Sequence, residues 1–79
     1  MKIYDHNSKQ VLDAITLFLS PEEALELAST AEDLARHPHK HHHHVSDSTY
    51  QTEITVAVHT ADNLSQFDEE SRAVIGGGS

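Results

Sequence analysis

Cysteine is absent, and the three glycines all fall in the terminal stretch Gly76-Gly77-Gly78-Ser79. The first absence removes disulfides and thiolate metal sites as sources of stability. The second removes any glycine-rich phosphate loop. Lys and Arg together number 5 against 13 Asp and Glu, a formal net charge of -8. A phosphate-backbone footprint needs clustered cations, so direct nucleic-acid binding is not expected, and neither is adhesion to an anionic membrane. No apolar run approaches the ~20 residues of a membrane span. The opening Met1-Lys2-Ile3-Tyr4-Asp5 is also unlike the apolar stretch of a secretory signal, so the expected location is the cytoplasm. Neither a G-x-S-x-G elbow nor a His-Glu-x-x-His motif occurs, and Ser46, Ser48 and Ser71 lack a nucleophile's context. No enzymatic activity is expected.

The 79 residues suffice for one small domain. A chain of this size buries about 60% of its unfolded surface. Its total stability should be about 4–12 kcal/mol, and self-association is a common supplement at this scale.

Ile3-Tyr4 reads as a short strand, and His6-Asn7-Ser8-Lys9 as a turn. Gln10 to Leu19 then reads as a strand apolar on both faces, which suits a central position. Ser20-Pro21-Glu22-Glu23 is a helix start, with Ser20 as N-cap, Pro21 at the first helical position and Glu23 completing a capping box. Ala24, Leu27, Ala28, Ala31, Leu34 and Ala35 form one apolar stripe. His37-Pro38 should end this helix, because proline disfavours helical geometry in the residue before it. His41 to Val45 reads as a strand, Ser46-Asp47-Ser48-Thr49 as a turn, and Gln51 to Thr60 as a strand. In that last strand Thr52, Ile54, Val56 and Val58 face a core and the alternate residues face water. A short second helix is expected within Asn63 to Ile75.

The order β-β-α-β-β-α predicts an α+β fold: a four-stranded, mainly antiparallel sheet with the amphipathic helix on one face and a short C-terminal helix. Residues 1–75 form a single domain in this reading, and 76–79 a flexible Gly/Ser tail. Leu12 and Phe18 would lie on the sheet face away from the helix. The C-terminal helix or a second subunit would cover them, and a homodimer is the expected arrangement.

His37, His39 and the run His41-His42-His43-His44 set this chain apart from ordinary composition. On a strand, side chains alternate, so His41 and His43 share one face and His42 and His44 the other. The bland interpretation is strand histidines, hydrogen-bonded wherever they are buried. The sharper one is an exposed recognition surface of His42, His44, Tyr50, Glu53 and His59, with Asp47 in the adjoining turn. A third is a site for zinc or another divalent transition metal at His39, His41 and His43, since imidazole ligates such ions. Pairs on a strand do not supply the four ligands of a structural zinc site, or the three plus water of a catalytic one, without further donors.

The stretches Ile15-Thr16-Leu17-Phe18-Leu19-Ser20-Pro21-Glu22-Glu23-Ala24, His41-His42-His43-His44-Val45-Ser46-Asp47 and Glu53-Ile54-Thr55-Val56-Ala57-Val58 resemble small bacterial α+β proteins. The chain is also similar to immunity proteins of polymorphic toxin systems. That resemblance implies a non-enzymatic inhibitor that binds a toxin or nuclease, and it carries no site residue with it. Three readings stay open: an acidic protein-binding module with a basic partner and no cofactor, a histidine-cluster metal protein, and an oligomer of anti-defence type that sequesters a small ligand.

Overall fold

The computed structural model describes residues 1–77, and the chain forms two compact units. Residues 1–18 with those from 67 onward make the first. It contains strands β1 (Ile3–Asp5) and β2 (Gln10–Leu12), paired antiparallel with Tyr4 opposite Val11, and a C-terminal helix α2 (Glu69–Gly77). Asp5 makes the turn between the strands. Its carboxylate accepts from the Asn7 N–H (2.9 Å) and the Ser8 hydroxyl (2.8 Å), and its carbonyl accepts from the Lys9 N–H (2.8 Å). Lys9 then takes φ 60°. Tyr4 and Lys9 both reach Glu70 on α2, Tyr4 through its hydroxyl and Lys9 through its ammonium at 3.2 Å.

Residues 19–66 make the second unit. Helix α1 (Pro21–Arg36) begins as the sequence predicts: the Glu23 N–H donates to Ser20 Oγ (3.1 Å), and the Ser20 N–H donates to the Glu23 carboxylate (2.9 Å). It ends before Pro38, with His37 as its C-cap, and a 3-10 turn follows over Pro38–Lys40. Strands β3 (His42–Ser46) and β4 (Glu53–Ala57) form an antiparallel hairpin in which Val45 faces Ile54 and His43 faces Val56. A second 3-10 turn spans Leu64–Gln66.

The order of strands and helices matches the prediction, and the fold is α+β, but the four-stranded sheet is not formed. β1 with β2 and β3 with β4 are separate two-stranded sheets. The long central strand expected over Gln10 to Leu19 stops at Leu12, and residues 13–18 are irregular. Apolarity on both faces promotes a strand only where neighbours cover both; here Phe18 is 93% exposed. The alanine stripe of α1 is also not what packs. Leu34 is 1% exposed and Leu27 half-buried, while Ala24, Ala28, Ala31 and Ala35 all face solvent. A two-stranded hairpin is narrow and covers only a thin strip of helix. The leucines, which gain more from burial than alanines, set its rotation. Gly76 and Gly77, expected as tail, continue α2, and residues 78 and 79 lie outside the described residues.

The hairpin core is Val45 (3% exposed) with Leu34, flanked by half-buried Ile54, Val56 and Val58. Beside it Asn63 is 3% exposed and fully bonded. Its Nδ2 donates to the carbonyls of Pro38 (2.7 Å) and Val58 (2.9 Å). Its Oδ1 accepts from the Thr60 N–H (2.7 Å), and its own N–H donates to Thr60 Oγ1 (3.1 Å). Asn63→Ala removes the Asn63 partner of the Val58 carbonyl and of the Thr60 N–H, and one of the two donors to the Pro38 carbonyl; a lost buried partner costs about 1–3 kcal/mol. Urea unfolding of Asn63→Ala should show a loss in that range. A midpoint equal to that of the parent chain would show that the clamp contributes nothing.

Candidate functional site

β3 begins only after an irregular residue. The turn at Pro38–Lys40 closes with the His41 N–H donating to the Pro38 carbonyl (3.0 Å), and the His41 carbonyl accepts from the Val58 N–H (3.0 Å). Between these bonds His41 takes φ 48° and ψ -37°. It is therefore not a strand residue, and the expected face shared by His41 and His43 does not form: His41 is half-buried and His43 exposed.

The other expected face does form. His42, His44 and Ser46 project outward from β3, opposite Ala57, Thr55 and Glu53 of β4. His44 Nδ1 lies 2.9 Å from Thr55 Oγ1 and 3.5 Å from Glu53 Oε1. The His42 ring meets His44 edge-on at 5.4 Å and lies tilted against His41 at 4.5 Å. The Nδ1 atoms of His41 and His42 are 2.6 Å apart, so one ring donates and the other accepts.

At the hairpin tip Asp47 holds the turn. Its carboxylate accepts from the N–H groups of Gln51 (3.0 Å) and Thr52 (3.4 Å) and from the Thr49 hydroxyl (3.1 Å). Partial desolvation raises the pKa of this carboxyl, but those bonds outweigh it and leave the value below the ordinary one. The Tyr50 N–H donates to the Asp47 carbonyl (3.1 Å), and Tyr50 takes φ 58° and is 85% exposed. His44, Asp47 and Tyr50 line a cleft of about 530 Å³ with Glu22, Glu23 and Glu26 from the start of α1. A second groove of about 420 Å³ carries His42 and His43 with Asp33 and Lys40, which are joined at 2.8 Å. That ion pair holds the Asp33 carboxyl below its ordinary pKa.

Of the six residues expected to form a recognition surface, His42, His44, Asp47, Tyr50 and Glu53 lie on this hairpin, and His59 lies two positions past the end of β4. The metal candidates are dispersed: His39 is in the 3-10 turn with its ring edge-on to His37 at 6.0 Å, His41 is at the break, and His43 is on the opposite face from His42. Among the described residues, no group of three or more His, Asp or Glu side chains is placed to hold a metal ion. No helix among them is long and apolar enough to cross a membrane. Glu22 and Glu26 read from sequence as a solvated helix face. Nothing local signals that the start of α1 meets the far end of β3, because that is a tertiary contact. No family model, curated protein or solved structure matches the chain.

The depressed Asp47 pKa fixes the sign of a pH effect. Its stabilisation is complete above the ordinary carboxylate value of about 4 and is lost as pH falls below it. Asp47→Ala should melt below the parent chain at pH 7, and the two curves should converge in acid. A constant gap from pH 7 to 3 would contradict the assignment.

Proposed function

We propose that this chain is a non-enzymatic protein-binding module of inhibitor or immunity type, and that its partner is a basic protein such as a toxin or nuclease. Its recognition surface is the outward face and tip of the hairpin: His42, His44, Asp47, Tyr50 and Glu53. The observation that carries this reading is the cleft at the tip. There exposed Tyr50 and His44 line one cleft with the acidic residues Asp47, Glu22 and Glu26.

Exposed tyrosine on a bonded turn offers a large contact area at small conformational cost, and such residues dominate binding energies at interfaces. Carboxylates on both sides of the cleft suit an arginine or lysine of the partner, whose cation also gains from the ring face. The net charge of -8 steers a basic partner from a distance. Association should therefore slow as salt rises.

The partner is to be captured from lysate of the native host with the tagged parent chain, identified, purified and titrated. Tyr50→Ala, and separately His42→Ala with His44→Ala, should each weaken binding at least roughly tenfold, the size of a modest hot spot. Melting curves should confirm that the variants fold. Folded variants that bind as tightly as the parent chain would overturn the proposed surface.

A further inference from the structure

β3 and β4 make a sheet of two strands, so among the described residues no strand pairs with the other edge of β4. The Asp47 N–H donates to the Thr52 carbonyl (3.1 Å), and the Val58 N–H to the His41 carbonyl (3.0 Å). In an antiparallel ladder hydrogen-bonded pairs alternate with non-bonded ones. With the observed register, the bonded pairs are therefore His43 with Val56 and Val45 with Ile54. The N–H and C=O groups of Glu53, Thr55 and Ala57 turn away from β3, toward the open edge, and all three residues are exposed.

Natural edge strands are usually blunted by lysine, proline or a bulge. This one has none of them: it reads Glu53-Ile54-Thr55-Val56-Ala57, largely β-branched, with one charge. We infer that the β4 edge is the interface with a second copy of this chain, which pairs antiparallel about a two-fold axis at Thr55.

The register explains why the occupant is another copy. Centred on Thr55, the two-fold sets Glu53 against the partner's Ala57 and Thr55 against the partner's Thr55. These are the very residues whose backbone groups point outward, so each pair exchanges two backbone bonds. Ile54 then stands beside the partner's Val56 on the inner face. Cross-strand threonine pairs and β-branched pairs are both favourable. The single charge, Glu53, meets an uncharged residue, whereas centring the axis on Glu53 would oppose two carboxylates. The result is a four-stranded antiparallel sheet built from two chains, with the His42 and His44 faces of both copies on one side. The contact is small, and the two chains carry like net charge, so association is weak and concentration-dependent. The pairing does not depend on the partner proposed above, and salt separates the two: added salt strengthens self-association and weakens binding of a basic protein.

Sedimentation of the full chain across the micromolar-to-millimolar range tests this, and a monomer–dimer equilibrium is expected. Thr55→Pro removes an outward N–H without touching the β3 ladder, and should leave a folded monomer. Ala57→Lys faces the partner's Glu53 and should tighten the dimer by roughly two- to tenfold, because two equivalent pairs change together; Ala57→Glu should weaken it by a similar factor. These two variants decide the matter even if Thr55→Pro fails to fold. A chain that stays monomeric throughout, or a dimer that responds alike to Ala57→Lys and Ala57→Glu, overturns the inference.

Discussion

The amide of Asn63 holds together the segment that carries the proposed recognition surface. One side-chain nitrogen bonds the carbonyl of Pro38, before the hairpin, and that of Val58, after it. The two ends of the hairpin are thus tied to one buried group. Where β3 starts decides which histidines face outward, because a slip of one residue sends every side chain to the opposite face. Asp47 does the matching work at the tip, gathering the N–H groups of Gln51 and Thr52. An amide at one end and a carboxylate at the other pin the register together with buried Val45, since the histidines on both faces of β3 give burial little else to choose between.

The lack of internal glycine has a structural counterpart. Among the described residues three take positive φ: Lys9, His41 and Tyr50. Glycine adopts such angles freely, whereas other residues pay about 1–2 kcal/mol in the left-handed region. In a chain of marginal stability these costs are appreciable. Lys9 recovers part of its cost through the ion pair with Glu70. His41 has bonds on both sides of its peptide, to Pro38 and Val58. Tyr50 makes its turn bond to Asp47 and stays exposed.

Much of this was legible in the residues, and what escaped shares a physical cause. Ser20, Pro21 and Glu23 announce the start of α1 because capping chemistry is local. The alternation of Ile54 and Val56 with Glu53, Thr55 and Ala57 announces the two-faced β4 for the same reason. Gln10 to Leu19 misled: apolarity on both faces fits a central strand only if neighbours exist, and sheet membership is a long-range property. Residues 41–44 look alike in sequence, yet His41 leaves the strand because the turn at Pro38–Lys40 must close first. Asn63 carries no mark beyond the Thr60-x-x-Asn63 spacing. The cleft that joins Tyr50 to Glu22 and Glu26 exists only once α1 lies along β3.

The central claim is that His42 and His44 project together from a paired strand whose register the two anchors set. Nuclear Overhauser effects in the labelled chain measure this directly. In an antiparallel pair the non-bonded partners bring their Hα atoms close, so strong Hα–Hα effects should join His42 to Ala57 and His44 to Thr55. Effects displaced by one residue, or random-coil shifts with no cross-strand contacts through residues 42–46, would contradict the account.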